Sequence, residues 1–252
     1  MKQNIKQNIF ERHQGFDLAN FDNSKYPLSE IPHFKVLKSE TYGAFKAMVA
    51  QNFGILAEQI RFWIFIIREN DTVRLDTPLT DAFLAMTMEK VHEKISVKQN
   101  NLRLFMEVTD RPFDDNVLWF PLIERNSYNN RIMIFVKYFD PDTQSIEGLG
   151  NLYVKKFDKV GDIMLTLCEK KKLTSHTSLK IYEELCHKYI KVMNSKLTFH
   201  DSKIQNGDII CFQKALTEEE SQKYIAASRI HDIPTFYKSI VAKFEGKDQI
   251  LN

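Results

Sequence analysis

A spaced pattern of apolar residues and one glycine occurs twice in this chain of 252 residues. Val36, Tyr42, Gly43, Phe45, Val49, Ile60, Phe62 and Trp63 have counterparts in Val154, Val160, Gly161, Ile163, Leu167, Leu179, Ile181 and Tyr182. The separation is 118 residues through the Val49/Leu167 pair and 119 from the Ile60/Leu179 pair onward, so one inserted residue explains the slip. In each copy an extended stretch leads into a helix and then a strand, which describes one small α+β body built twice. Two copies are too few for a solenoid. The expectation is a tandem of similar modules, an arrangement that serves binding more often than catalysis.

Bulk properties narrow the classes. Hydrophobic residues make up 43% of the chain and include 19 Phe, enough for two packed cores and too many for disorder. The 35 basic and 33 acidic residues leave a net charge of +2, which gives no footprint for nucleic acid. Cys168, Cys186 and Cys211 stand far apart with no C-x-x-C spacing, so a reducing compartment is expected. The residues after Met1 are polar, and the longest apolar run, Phe62 to Ile67, is far shorter than the ~20 residues of a membrane span, so a soluble intracellular protein without leader or membrane contact is expected.

Periodicity places the elements. Ile5 to Phe10 reads as a first strand, followed by a polar connection through Asn20 to Ser24. Ser39 is the expected cap of a helix whose Phe45, Met48, Val49 and Phe53 share one face, and Gly54 ends it. Ile60 to Phe65 and Leu102 to Val108 read as strands. Ala82 to Ile95 reads as a helix inserted between them, without a counterpart of similar pattern in the second copy. The connector from Asp110 to Asn130 is polar except for Leu118 to Ile123, which is expected to pack on a module surface.

In the second copy Ile132 to Phe139 and Leu149 to Val154 form a hairpin around Asp140-Pro141-Asp142-Thr143, and Asp158 is the expected cap of the next helix. Leu179 to Tyr182 and Asp208 to Gln213, the latter entered through Asn206-Gly207, supply further strands. A hairpin, a helix laid across it and two more strands make a ubiquitin-like β-grasp. The expected organisation is α+β: two tandem β-grasp domains over 1–128 and 129–216, then a helical extension over 217–252 leading toward a third. Trp63 and Tyr182, each one residue past an inward neighbour, should point away from their cores and be partly buried.

The segments His13 to Leu18, Phe34 to Lys38, Gln59 to Trp63, Tyr138 to Pro141, Thr177 to Leu179, Tyr182 to Glu184 and Gly207 to Lys214, taken in order, resemble the first two ubiquitin-like domains in the C-terminal half of the HAUSP-type (herpesvirus-associated) ubiquitin-specific proteases. The likeness runs from about residue 5 to 214 and implies part of a cysteine deubiquitinase without its catalytic domain. The family's nucleophile box, with a Gly-x-Thr-Cys-Tyr core, and its Gly-His-Tyr box are absent from this sequence. It further implies a monomer of nucleus and cytoplasm that takes protein partners by an acidic face, which docks their Lys-rich segments, or that contacts its own catalytic domain. Carried over by position, that face is Glu183, Glu184, Asn206 and Asp208. Asn206 stands where the family has an aspartate and Lys203 at another acidic position; one change removes a carboxylate and the other adds repulsion toward a docking lysine.

Bland readings outweigh chemical ones elsewhere. Cys168 and Cys211 fall in apolar patterns, where a thiol behaves as a small hydrophobe. Cys186 and His187 are strand neighbours on opposite faces and cannot share a proton, so a self-contained thiol hydrolase is the lesser alternative. The seven histidines include no zinc spacing, His13 with Asp17 orders its own loop, and no glycine-rich phosphate cradle occurs, so neither metal nor cofactor is expected. Lys170-Lys171-Lys172 closes a helix, where cations suit the dipole, and Asp114-Asp115 and Glu183-Glu184 do not make an acid/base couple.

Overall fold

The computed structural model describes residues 32–70, 72–95, 102, 104–110, 119–121, 131–186 and 189–248. The expected strand Ile5 to Phe10, the His13/Asp17 loop and the Asp114-Asp115 pair lie outside them. The chain divides into two compact units, whose described parts are residues 32–121 and 131–248.

In the first unit helix α1 (Tyr42–Phe53) packs Tyr42, Phe45, Val49 and Ala50 onto a sheet of β1 (Ile60–Ile67), β2 (Val73–Leu79) and β3 (Leu104–Val108), in the order β2-β1-β3 and antiparallel throughout. Ile60, Phe62, Ile64 and Met106 fill the other side of that core. Burying side chains of this size contributes about 1.5–3 kcal/mol each. Gly54, at φ 64, ends α1 as expected, and its N–H donates to Ala50 and Gln51. The N-cap, however, is Thr41, which accepts from the Ala44 N–H at 3.2 Å, and not Ser39. The carbonyls of Lys38 and Glu40 already accept from Glu89 and Met88, so the chain around Ser39 belongs to a loop crossing and the helix can begin only after it. Helix α2 (Met88–Ile95) follows a single 3-10 turn at Asp81–Phe83, so the expected helix from Ala82 is broken in two.

The second unit has β4 (Arg131–Asp140) and β5 (Ser145–Lys155) as a hairpin, and a 3-10 turn (Val160–Ile163) running into α3 (Met164–Lys171). Strands β6 (Leu179–Cys186), β7 (Tyr189–Val192) and β8 (Ile209–Lys214) complete it. Sheet order is β5-β4-β8-β6-β7, with β4 and β8 parallel and every other pair antiparallel. A late strand inserted in parallel beside the first, with a helix across one face, is the ubiquitin-like β-grasp. The sheet of the first unit matches its β7-β6-β8 part, because Ile60 and Met106 take the places of Leu179 and Phe212. Asp158 does not cap the second helix; its carbonyl is held by Phe199, and the Asp162 carboxylate accepts the Lys159 N–H at 2.9 Å.

The two units share more than the pattern of side chains. Tyr42, Gly43, Met88 and Glu89 donate their N–H groups to Met86, Leu84, Glu40 and Lys38, and Val160, Gly161, Phe199 and His200 donate to Leu197, Ser195, Asp158 and Lys156. Every bond in the second set is the first displaced by 118 residues at the helix side and 111 at the loop side. Residues 84–89 therefore do have a counterpart, 195–200, contrary to the expectation that the inserted stretch had none. Gly43 and Gly161 permit this crossing, since a Cβ would sit 3.1 Å from the Leu84 carbonyl oxygen or 3.0 Å from that of Ser195.

After β8, helix α4 (Glu218–Ala226) starts with Thr217 and Glu220 bonding reciprocally to each other's backbone. Helix α5 (Ile233–Asp248) then packs against β7 and β8. No described helix is long and apolar enough to cross a membrane.

Candidate protein-docking surfaces

Each sheet turns one face to its helix and core; on the other face the first unit has Phe120 and Pro121 against Arg61, and the second has a helix from beyond the last strand. In the first unit Arg61, Trp63 and Glu107 lie on this outer face. The Glu107 carboxylate accepts from the Trp63 indole at 2.8 Å and from Arg61 Nε at 3.1 Å, while Arg61 also donates to the Pro121 carbonyl at 2.9 Å. The guanidinium lies 4.5 Å from the Phe120 ring centre. Phe120 and Pro121 of the connector thus meet Arg61 of their own module, and Trp63 is wholly buried, not partly.

In the second unit the outer face carries Met133, Phe135, Lys137 and Phe139 from β4, Ile209, Cys211 and Gln213 from β8, and Tyr182 and Glu184 from β6. Helix α5 lies over it. Lys137 and Glu184 pair at 2.6 Å with neither side chain exposed, and the Tyr237 hydroxyl donates to the same Glu184 oxygen at 2.6 Å. Phe236 stacks on Phe139 at 4.9 Å. Gln213, whose register place matches that of Glu107, accepts the Ile233 N–H at 2.8 Å and donates to the His231 carbonyl at 3.0 Å. Tyr182 points away from the core as expected but is only 4% exposed.

Glu183, Glu184, Asn206 and Asp208 do not form one open face. Glu183 and Glu184 are consecutive in β6 and point to opposite sides of the sheet, and both are buried. Glu184 holds Lys137 and Tyr237. Asn206 and Asp208 share the turn before β8, where the Asn206 side-chain oxygen accepts the Met133 N–H at 2.9 Å and Asp208 accepts the Gln205 N–H at 2.7 Å. Asp208 is itself buried, and Gly207, at φ 77, makes the turn.

Cys168 lies on the buried face of α3 and belongs to the core, where burial pushes its thiol pKa up. Cys211 lies on the covered face; burial first, and the Glu184 carboxylate second, push its thiol up to about 12. Both environments oppose thiolate formation, the reverse of what a nucleophile needs. Cys186 ends β6, and His187 lies outside the described residues. Among the described residues no group of His, Cys, Asp and Glu could hold a metal ion. Lys171 lies over the Tyr138 ring at 4.6 Å and pairs with Glu147, and Lys170 donates to the Leu149 carbonyl, so the lysine run fastens the end of α3 to β4 and β5.

The family model described as the ICP0-binding domain of Ubiquitin-specific protease 7 matches residues 60–245. Ubiquitin carboxyl-terminal hydrolase 5 of Schizosaccharomyces pombe is 36% identical over 209 residues, and Ubiquitin C-terminal hydrolase 13 of Arabidopsis thaliana is 30% identical over 230. These matches cover 83% and 89% of this chain but only 18% and 19% of those proteins. Among solved structures, Caldiarchaeum Subterraneum Ubiquitin matches at 16% identity and a TM-score of 0.27, over 35% of this chain and 99% of its own. With a match that runs from β1 into α5, the chain belongs to the family of the ICP0-binding domain of Ubiquitin-specific protease 7, a non-catalytic domain of the ubiquitin-specific proteases.

Proposed function

We propose that this chain docks protein partners for a ubiquitin carboxyl-terminal hydrolase whose catalytic domain lies outside it. The match of residues 60–245 to a domain described by its binding of another protein carries this reading. The geometry supports it. The two buried thiols are held protonated, and the second sheet is closed by α5, which leaves its rims and loops for contact. Lys-rich segments would have to lift α5 to reach Glu184 or open the turn before β8 to reach Asp208, since both carboxylates are buried, and Glu183 is buried on the other side of the sheet. The exposed loops are the readier surface.

The test compares a whole hydrolase carrying this chain with one lacking it. Loss of partner capture, with cleavage of a small fluorogenic ubiquitin conjugate unchanged, is the expected result. An equal fall in both activities would instead mean a scaffold for the catalytic domain, and no change in either would end the docking reading.

A further inference from the structure

The crossing loops of the two units share a backbone scaffold but not a surface. Over 37–41 and 84–92 the first unit has two lysines, Lys38 and Lys90, against Glu40 and Glu89. Over the matched stretches 155–159 and 195–203 the second has five, Lys155, Lys156, Lys159, Lys196 and Lys203, against Asp158 and Asp201. The change is sharpest at one bond. Glu89 donates its N–H to Lys38, and their side chains pair at 3.2 Å; His200 makes the same backbone bond to Lys156, so a carboxylate partner is replaced by an imidazole.

We propose that the surface of loops 155–159 and 195–203 docks an acidic segment of a partner protein, one that brings a large apolar side chain to Phe157 and Leu197. This deepens the docking function above and rests on it. Phe157 and Leu197 are 46% and 43% exposed, and the Phe157 ring lies 5.2 Å from that of His200. Two backbone bonds join the loops, Phe199 to Asp158 and His200 to Lys156, and Val160 and Gly161 of the following turn donate to Leu197 and Ser195, so little order must be gained on binding. Lysine ammonium groups are point charges that accept carboxylates from many directions, which suits an irregular acidic peptide. Single exposed pairs are weak, so affinity has to come from several charges acting with an apolar anchor. Of the interspersed carboxylates, Asp201 is engaged within the loop by the Thr198 hydroxyl at 2.8 Å. Nucleic acid suits this surface less well: it holds no arginine, carboxylates interrupt the lysines, and the whole chain is only +2.

The test titrates the full chain with a labelled peptide of Asp and Glu around a central Phe, with its Asn and Gln version, and with single-stranded DNA of equal length. The acidic peptide should bind about tenfold more tightly than the amide version, and K156E/K159E/K203E should weaken it about tenfold. Phe157→Ser should abolish the advantage of the central Phe, whereas Lys38→Glu, at the matched place in the first unit, should change nothing. Thermal melts confirm that these surface variants fold. Equal binding of acidic and amide peptides, indifference to the triple reversal, or tighter binding of the DNA would each overturn the proposal. In the whole hydrolase, a triple variant that still captures its partner sinks this inference alone, while a native chain that captures none sinks the docking function.

Discussion

Tyr237 donates its hydroxyl to Glu184 across 2.6 Å, which joins α5 to β6 through a carboxylate already paired with Lys137. The residues are 53 apart in sequence. A buried ion pair is costly to desolvate, and one with a third polar partner is far cheaper to keep than to break. The helix is therefore fastened by a cluster that fails unevenly when members are removed.

Tyr237→Phe should destabilise the second unit by about 1–3 kcal/mol, the cost of removing one donor from a buried acceptor. Lys137→Met, which strands the Glu184 charge, should cost about 3–5 kcal/mol, and adding Glu184→Leu to it should restore part of the loss. Urea unfolding read by circular dichroism measures all three. A double variant less stable than Lys137→Met would contradict this ranking.

Gly161→Ala and Gly43→Ala should both destabilise, by about 1–3 kcal/mol, because the new methyl meets a backbone oxygen that cannot move without loosening the crossing. Helix propensity alone predicts the opposite sign, since alanine is the better helix former. Thermal unfolding of the two variants separates these accounts.

Stability should fall as the medium becomes alkaline. Burial raises the Cys211 thiol to about 12 from 9.0, and burial followed by the Asp232 charge raises the Tyr182 phenol to about 12 from 10.0. Below the unfolded values both states keep these protons, so the contribution is whole. Above them the unfolded chain releases protons first, and the contribution is gone once the pH passes the folded values. Urea midpoints between about pH 8 and about pH 11 should drop, with delayed tyrosinate absorbance in the native protein. Midpoints that hold steady across this range would show that these groups titrate freely.

The sequence displayed most of the core and little of its cover. Periodicity found α1, the central strands and the hairpin because those residues contact neighbours close in sequence or one strand away. It also set Trp63 and Tyr182 on the outward side correctly. Their full burial is not legible, because chain from outside the repeated pattern packs beside them: Phe120 and Pro121 against Arg61, and Tyr237 against Glu184 and Cys211. The crossing loops went unmatched for another reason: backbone hydrogen bonds leave almost no mark on residue type, and only the paired glycines betray them. Lys137 did carry a signal, as a lone cation inside the apolar run Ile132 to Phe139, and Glu184 was its natural counterpart. The caps differ from Ser39 and Asp158 because the crossing uses the carbonyls of Glu40 and Asp158.

Because the second sheet is closed by a helix that comes after it, truncation is asymmetric. Trimming the second unit at Lys214 would unseal Lys137 and Glu184 and leave a soluble-looking strand pattern with a charged wound on its back. The smallest piece of it able to stand alone must extend past Tyr237, and a binding assay run on anything shorter would offer partners a surface that the intact chain never shows.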